Sequence, residues 1–277
     1  MGEIDYLAIG HISKDLTPDG FRAGGTVTFA ALTARALGLR VGVVTSLPRD
    51  AGALLSPLSD LPVVCRSAGA ATTFENIYTD AGRQQVLSAR AERLTLDDIP
   101  TGWRAASIVH LAPVAQEVDP GLAAHFRGAC LCVTPQGWMR QWDGEGRVAY
   151  QPWESARDVL PYARAVVISI EDVRGDEDAA RAVASRAQVG VVTRGAGGCT
   201  VFLNGEPHHV PAPAVEEVDP TGAGDIFATT FFIELCATGD ALRAARFATL
   251  LASDSVSRSG LDAIPTADII RRAREVA

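Results

Sequence analysis

The sequence predicts an α/β protein built on a doubly wound, mostly parallel sheet. Short apolar runs rich in β-branched residues recur between residues 4 and 194, and they are continuous rather than alternating. Continuous runs are typical of strands that are buried on both faces of a parallel sheet. Helical patterns lie between several of these runs, and this alternation favours right-handed βαβ crossovers.

The predicted elements follow one another in a regular order. We expect core strands at 4–10, 41–46, 107–113, 129–135, 165–170 and 189–194, and helices at 26–38, 120–128, 176–187 and over most of the chain after 224. Two polar segments interrupt this order. Residues 11–23 contain a Pro-Asp-Gly turn signal, and residues 72–89 read as two strands around an Asp-Ala-Gly turn. We expect both segments to project from the sheet as a small flap.

Composition narrows the possible functions. The 277 residues are 47% apolar and 21% charged, which suits one large globular domain over residues 1–277. The net charge of -8 argues against nucleic acid or an anionic membrane as a partner, although one local positive site would suffice for a small anionic substrate. Lys14 is the only lysine and has no P-loop context, so neither a P-loop nor a Schiff-base mechanism is expected.

The cysteines and the N-terminal residues predict the cellular compartment of the protein. Cys65, Cys130, Cys132, Cys199 and Cys236 form no C-x-x-C motif, so we expect buried free thiols, as in a reducing cytoplasm. The first residues carry acids and no long apolar run, which is unlike a signal peptide or a membrane span. We therefore expect a cytoplasmic protein.

The segment "EEVDPTGAGDIFATTFF" (216–232) raises the question of a catalytic site. Gly222, Ala223 and Gly224 can turn their N–H groups towards one point at the start of a helix, where the helix dipole also favours an anion. Asp225 would lie in the first turn, where the same field keeps it ionised. An ionised carboxylate beside an anion hole suits phosphoryl transfer to an alcohol. The alternative is an acidic first turn that only stabilises the helix.

Four motifs together resemble the ribokinase-like, or PfkB, family of carbohydrate kinases. They are "VDPTGAGDIFATTFF", "RFATLLASDSVSRSGLDAIPT" (246–266), "VVTRGAGGCTVF" (191–202) and "AGGTVTFAALTARALG" (23–38), in the family's order and with roughly its spacing. The resemblance covers most of the chain. It implies a three-layer α/β/α sandwich with a mostly parallel central sheet and a small β lid, formed here by about 11–23 and 72–90.

The resemblance also implies roles for individual residues. By position, Asp225 is the general base, and Gly222, Ala223 and Gly224 form the anion hole. The implied ATP-binding residues are Thr193, Gly195 and Gly198, and the implied substrate-binding residues are Asp15, Gly24 and Gly25. Without the family, Asp15 would be read as an exposed loop acid, and Gly24 and Gly25 as a turn before a helix. The implied cofactors are ATP and Mg²⁺, with a monovalent cation such as K⁺ near Asp219, Thr221 and the 256–264 loop as a family-level possibility.

The sequence departs from the family pattern at three places. The asparagine that often follows the glycine pair is absent from Thr26-Val27-Thr28-Phe29, which suggests an acceptor other than ribose. The N-x-x-E motif is replaced by Ser169-Ile170-Glu171-Asp172, in which Asp172 keeps a carboxylate for a magnesium role. The first lid segment is short, so lid-mediated dimers are less expected, and a monomer or a homodimer both remain open.

Several features indicate the inositol-kinase-like branch of the family. "GGTVTF", "SIED" and "DPTGAGD" resemble that branch, and so does "TPQGWMRQWDGEG" (134–146), where Gln136 and Arg140 follow a strand end and are candidate substrate contacts. Arg140 could equally be a surface arginine. The sequence thus predicts an ATP-dependent kinase for a small sugar or polyol, such as a cyclitol.

Three alternatives remain open at this point. A nucleoside acceptor would predict apolar or aromatic stacking around residues 11–29 and 72–90. A phosphosugar acceptor would require basic residues there, for which Arg22, Arg83, Arg90 and Arg93 are candidates. A catalytically silent ligand-binding relative is the third.

Overall fold

A computed structural model of the protein describes residues 3–79 and 82–277, and the side chains of residues 78–83 lie outside this description. The strands are β1 Tyr6–Ile9, β2 Ser13–Thr17, β3 Gly20–Gly24, β4 Val41–Leu47, β5 Val63–Ser67, β6 Thr73–Thr79, β7 Gly82–Ala89, β8 Ile108–Leu111, β9 Cys130–Val133, β10 Arg140–Trp142, β11 Val148–Tyr150, β12 Ala165–Ser169, β13 Val189–Thr193, β14 Cys199–Leu203 and β15 Glu206–Val210. The helices are α1 Thr26–Ala36, α2 Gly52–Leu55, α3 Ala156–Val159, α4 Glu177–Ala184, α5 Ala223–Thr238, α6 Ala241–Ser255 and α7 Ala267–Val276.

The central sheet has the strand order β15-β14-β13-β12-β9-β8-β1-β4-β5. All of its pairs are parallel except β13 with β14 and β14 with β15. The six core strands predicted from apolar runs all occur in it. Because β1 lies between β4 and β8, the chain reverses direction across the sheet, and the carboxyl ends of the parallel strands meet at one edge, where ligands bind in such sheets.

Helices cover both faces of the sheet, which confirms the three-layer fold. Alternate residues of β1 divide between two apolar clusters. Leu7 and Ile9 pack with residues of α3 and α4, whereas Tyr6 and Ala8 pack with residues of α1. Helices α5 and α6 cover the neighbouring part of the second face. Strands buried on both faces explain why their sequences are continuously apolar.

A second sheet, the lid sheet, has the order β3-β2-β6-β7 and comes from the two polar segments expected to project. Strand β2 pairs antiparallel with β3 and parallel with β6. The hairpin of β10 and β11 extends this layer, because Leu87 N–H donates to the Gly146 carbonyl at 2.8 Å. The expected Asp-Ala-Gly turn falls on Asp80 and Ala81, which lie outside the described residues.

Some expectations were wrong or incomplete. Residues 120–128 form a short 3₁₀ segment, Pro120–His125, rather than an α-helix. Gly121 lowers helix propensity there, and the Asp119 carboxylate caps the tight turn through Gly121 N–H. The expectation of free thiols is wrong for Cys130 and Cys236, which form a disulfide between β9 and α5. Cys65, Cys132 and Cys199 are free, but only Cys132 and Cys199 are buried as expected, since Cys65 is exposed on the edge strand β5. In the described part of the chain, no helix is both long enough and apolar enough to cross a membrane.

Candidate active site

The start of α5 carries the predicted catalytic motif. Gly222 is the N-cap and adopts a left-handed conformation with φ of 82°. A side chain at Gly222 would also overlap the Phe29 ring, so both backbone and space require glycine. The Ala223 N–H donates to the Pro220 carbonyl at 3.2 Å. In the described chain, the N–H groups of Gly222 and Gly224 donate no backbone hydrogen bond, which leaves them available to an anion.

Asp225 is the third residue of α5, yet its side chain makes no capping hydrogen bond. Burial raises its pKa to about 6, and the charges of Asp172 and Asp15 add to this rise. The Thr26 side chain and the Arg140 guanidinium act in the opposite direction. We expected the helix start to keep this carboxyl ionised, but burial outweighs that field. At neutral pH the group is still mostly a carboxylate, with a pKa suited to a general base.

Asp225 lies on the floor of a cleft of about 1330 Å³ between the central sheet and the lid sheet. The cleft is lined by nearly all the residues predicted from sequence: Asp15, Gly25, Gln136, Arg140, Asp172, Thr193, Gly195, Gly198, Gly222, Ala223, Gly224 and Asp225. Gly24 is the exception, and it lies directly behind the lining. The structure thus brings together residues that are up to 210 positions apart, from Asp15 to Asp225.

The two glycines at the start of α1 shape what we call the acceptor end of the cleft, lined by Ser13, Asp15 and the lid strands. A side chain at Gly24 would overlap the Asp15 carboxylate. Gly25 has φ of 84°, and a side chain there would overlap the His11 carbonyl oxygen. The Ser13 hydroxyl donates to Asp15 at 2.8 Å. Gly24 therefore leaves room for the Asp15 carboxylate and does not itself line the cleft.

Arg140 lies at the acceptor end and is not a free surface arginine. Its Nη1 donates to the Val114 carbonyl at 2.9 Å, and its guanidinium lies 5.4 Å from the centre of the Phe74 ring. Its charge also lowers the pKa of Asp172 and of Asp225. A positive charge near a carboxylate favours the ionised form of that carboxylate.

Gln136 and Asp172 meet in the cleft. Gln136 Nε2 donates to Asp172 Oδ1 at 2.7 Å, and Ser169 N–H donates to Asp172 Oδ2 at 2.9 Å. Burial raises the pKa of Asp172, although both hydrogen bonds and Arg140 oppose this. Each carboxylate oxygen keeps a further lone pair, and carboxylate oxygen is a ligand that Mg²⁺ accepts, often through water. Asp172 therefore fits a magnesium role.

The donor end of the cleft, as we call the part lined by Thr193, Gly195 and Gly198, follows β13. Gly195 and Gly198 have φ of 52° and 80°, and a side chain at Gly198 would overlap the Val210 carbonyl. Small or apolar side chains continue this lining, namely those of Ala212, Pro213, Ala214, Val215, Ala252 and Val256. A shallow groove of this kind suits a flat heterocycle.

Asp219 connects the loop before α5 to the loop after α6. It accepts hydrogen bonds from Thr221 N–H at 2.9 Å, from the Ser259 hydroxyl at 2.8 Å and from Gly260 N–H at 3.3 Å. Burial alone would raise the pKa of this carboxyl, but these hydrogen bonds together hold it at about 2. On the lid side, Arg22 of β3 lies 3.8 Å from the same carboxylate. The lid sheet therefore reaches the loop before α5.

Sequence reasoning missed Glu117, a carboxylate only 1% exposed. It accepts hydrogen bonds from the backbone N–H groups of His11, Val114 and Ala115 at 2.7–3.0 Å. These contacts join the loop after β1 to the loop after β8, whose Val114 carbonyl holds Arg140. A lone glutamate in "APVAQEVDP" carries no local signal of this role.

The polar side chains of the lid sheet were also missed. Asn76, Gln84 and Gln85 line the acceptor end, and Gln85 Nε2 donates to Asn76 Oδ1 at 3.2 Å. Tyr150 of β11 lines it too. Alternation along "FENIY" would have placed Phe74 and Asn76 on one face of β6, and this was the available signal.

The family model described as pfkB family carbohydrate kinase matches residues 154–267. Among curated proteins, the chain is 29% identical to a cytidine kinase of Thermococcus kodakarensis over 82% of this chain and 87% of that protein. It is 27% identical to an inositol 3-kinase of Oryza sativa subsp. japonica over 97% of this chain and 71% of the rice protein.

Solved structures agree on the fold. One is a pyrophosphate-dependent kinase of the ribokinase family, in complex with a pyrophosphate analogue and myo-inositol, with a TM-score of 0.80, 24% identity, and coverage of 97% of this chain and 99% of that one. Another is an Arabidopsis thaliana ribokinase with ribose and ATP, with a TM-score of 0.75, 18% identity and full coverage of both chains. The resemblance found in the sequence is thereby confirmed: residues 154–267 match the family model of pfkB carbohydrate kinases, the solved structures share the ribokinase fold, and the kinase relatives support a phosphotransferase with a hydroxyl acceptor.

Proposed function

We propose that this protein transfers the γ-phosphoryl group of ATP to a hydroxyl of a small sugar or polyol, and that its acceptor is a cyclitol such as myo-inositol. The observation that carries the proposal is Asp225, a half-buried carboxylate at the start of α5 whose pKa is raised to about 6 and which faces a cleft with a polar acceptor end. The inositol 3-kinase relatives support the choice of acceptor.

The acceptor end suits a molecule with many hydroxyl groups. Its polar side chains come from several elements, and they are Ser13, Asp15, Asn76, Gln84, Gln85, Gln136 and Arg140. Such a set offers both donors and acceptors around a compact ligand. A ring that carries a hydroxyl on every carbon can satisfy more of these groups than an apolar ligand can.

A nucleoside acceptor is the runner-up because of the cytidine kinase relative. It would need an aromatic face for the base. Phe29 and Phe74 do line the cleft, but each is only 3% exposed. The Phe29 ring packs against Gly222, and Arg140 covers Phe74. Neither of these two rings offers a free face. Tyr150 also lines the acceptor end and is half-buried, so the polyol is favoured by the many polar side chains there and not by a lack of aromatic rings.

A phosphosugar acceptor is disfavoured by the positions of the arginines named for it. Arg22 pairs with Asp219, and Arg93 pairs with Asp119 at 3.1 Å. Arg90 lies over the Trp142 ring at 5.5 Å. None of these three lines the cleft. The Arg83 side chain lies outside the described residues.

In the proposed reaction, the acceptor hydroxyl lies against Asp225 while Asp15 and Arg140 orient the ring. Asp225 takes the hydroxyl proton as the oxygen attacks the γ-phosphorus in line. The free N–H groups at the start of α5 donate hydrogen bonds to the oxygens of the transferred phosphoryl group and stabilise their negative charge, while ADP leaves on the opposite side of the phosphorus. When bound, Mg²⁺ neutralises the donor phosphates, and Asp172 would hold it through water. A monovalent cation near Asp219 and Thr221 would further order this loop.

The test is an ADP-release assay with Mg-ATP against a panel of cyclitols, hexoses, pentoses and nucleosides, beside a phosphate-release assay with pyrophosphate as the donor and the same panel. The proposal expects turnover with ATP and a cyclitol or sugar, because the donor end has a groove for a base that pyrophosphate would leave empty. Faster turnover with cytidine than with any polyol would refute the acceptor. Activity with pyrophosphate but not with ATP would refute the donor.

A further inference from the structure

The charges that line the cleft are unbalanced for a phosphate donor. The lining contains six acidic residues, Asp15, Glu171, Asp172, Glu217, Asp219 and Asp225, but in the described part of the chain only two basic ones, Arg140 and Arg174. A donor with several phosphates brings further negative charge into this cleft. A single divalent cation and one helix N-terminus would leave part of that charge unbalanced, and a positively charged side chain at the donor end would offset it without a second metal ion.

Arg140 cannot serve as that side chain, because it is engaged at the acceptor end with the Val114 carbonyl and the Phe74 ring. Arg174 is differently placed. It follows the 3₁₀ turn Ile170–Val173 after β12 and lines the cleft together with Thr193 and Gly195. Strands β12 and β13 are neighbours in the sheet, so their carboxyl ends present these residues side by side.

The Arg174 side chain has no partner within residues 3–79 and 82–277, neither a hydrogen bond nor an ion pair nor an aromatic ring. This contrasts with Arg194, also near the donor end, which is bound to Glu177 at 2.7 Å. The turn before Arg174 is firmly held, because Ser169 and Asp172 form a capping box and Gly175 N–H donates to the Ile170 carbonyl at 2.9 Å. A fixed backbone thus carries an unpaired guanidinium.

The backbone of Arg174 is unusual as well. Its φ of 56° and ψ of 35° lie in the left-handed region, which residues other than glycine and asparagine rarely adopt. Glycine would adopt this conformation more readily, so the backbone geometry of the turn does not account for an arginine at this position. An unfavourable backbone that is retained at a cleft points to a role for the side chain.

We propose that Arg174 binds the phosphates of the donor that are not transferred, on the leaving-group side of the γ-phosphorus. This inference rests on the proposed kinase activity. A guanidinium presents paired N–H donors that match phosphate oxygens. As the bond between the γ-phosphorus and the bridging oxygen breaks, negative charge collects on the leaving phosphate, next to Arg174. Because the contact is to phosphate and not to the base, it would serve ATP and pyrophosphate alike.

The experiment compares Arg174→Gln, Arg174→Gly and Arg174→Lys with Arg181→Gln, an exposed arginine of α4 outside the cleft. We expect Arg174→Gln and Arg174→Gly to raise the Kd for Mg-ATP and for pyrophosphate by about tenfold or more, the scale of one lost charge-assisted hydrogen bond. The Kd for adenosine and the KM for the acceptor should not change. Arg174→Lys should retain most of the affinity, and Arg181→Gln should behave as wild type. Because glycine suits the backbone, Arg174→Gly should melt no lower than wild type, so misfolding cannot explain its loss.

Calorimetric titration separates this inference from the proposed function. If the wild type binds Mg-ATP through Arg174 but phosphorylates no member of the acceptor panel, the proposed function fails and the assignment of Arg174 stands. If donor affinity changes by less than about twofold in both neutral variants, below the effect of one weak hydrogen bond, the assignment is overturned. A rise in the acceptor KM instead would also overturn it, and a wild type that binds neither donor would refute both.

Discussion

Replacing Asp225 with asparagine should abolish turnover and at the same time stabilise the fold. In the folded protein, burial raises the pKa of this carboxyl from 3.8 to about 6. Holding the charged form at a pH above 6 therefore costs free energy that the unfolded chain does not incur. At about 1.4 kcal/mol for each pKa unit, the cost is about 3 kcal/mol, and this is an upper limit because the carboxylate faces an open cleft.

The effect on stability depends on pH in a defined direction. Since the folded pKa lies above the unfolded one, the wild type loses stability as pH rises from about 4 to about 6 and stays at that lower level above it. Asparagine carries no charge, so Asp225→Asn should match the wild type near pH 4 and exceed it at pH 8. At about 2–4 °C for each kcal/mol in a chain of this size, a rise in Tm of about 3–10 °C is expected.

Thermal melts at pH 4 and pH 8 measure this, beside Asp178→Asn as a matched control. Asp178 is an exposed acid in the first turn of α4, so its replacement should change Tm little. Turnover of Asp225→Asn should fall by about 10²–10⁴-fold, the scale for one lost general base, while donor Kd stays within a few-fold. A lower Tm at pH 8 together with nearly normal turnover would show that Asp225 only stabilises the helix start.

Three further predictions concern the surroundings of Asp225. A plot of kcat/KM against pH should fall below about pH 6, where Asp225 becomes protonated, and an acid limb near pH 4 would contradict the raised pKa. Glu117→Gln should lower the free energy of unfolding by about 1–3 kcal/mol, because the amide NH2 would face backbone N–H groups such as that of His11. The substitution should also raise the acceptor KM more than the donor KM. A purely structural role for Glu117 would change Tm alone. Gly25→Ala should lower the free energy of unfolding by more than about 1 kcal/mol in denaturant melts, because φ is 84° and the new methyl group would overlap a carbonyl oxygen. As a control, Gly52→Ala should be neutral or stabilising, because Gly52 has open space around it and an ordinary helical backbone.

Much of the fold could be predicted because its signals are local. The six predicted core strands are buried on both faces, so their composition alone identifies them. Strand β5 and the hairpin of β14 and β15 lie at the two ends of the sheet, where a strand is less fully buried and its sequence is less uniformly apolar. Strands β10 and β11 span only three residues each, which is too short for a recognisable pattern. The Cys130–Cys236 disulfide joins residues 106 positions apart, and only the packing of α5 on β9 brings them together.

By itself, the sequence predicted the order of the six core strands and of most helices, the resemblance to the PfkB kinases, and Asp225, Asp15 and the glycines as candidate site residues, since each depends on a short run of neighbouring residues. The tertiary structure alone decided their chemistry. The raised pKa of Asp225 comes from burial beneath distant elements, and the many polar side chains brought together at the acceptor end favour a polyol as acceptor. The unpaired state of Arg174 likewise depends on which side chains fold near it. Burial, charge balance and contact are long-range properties, and no local pattern in the chain encodes them.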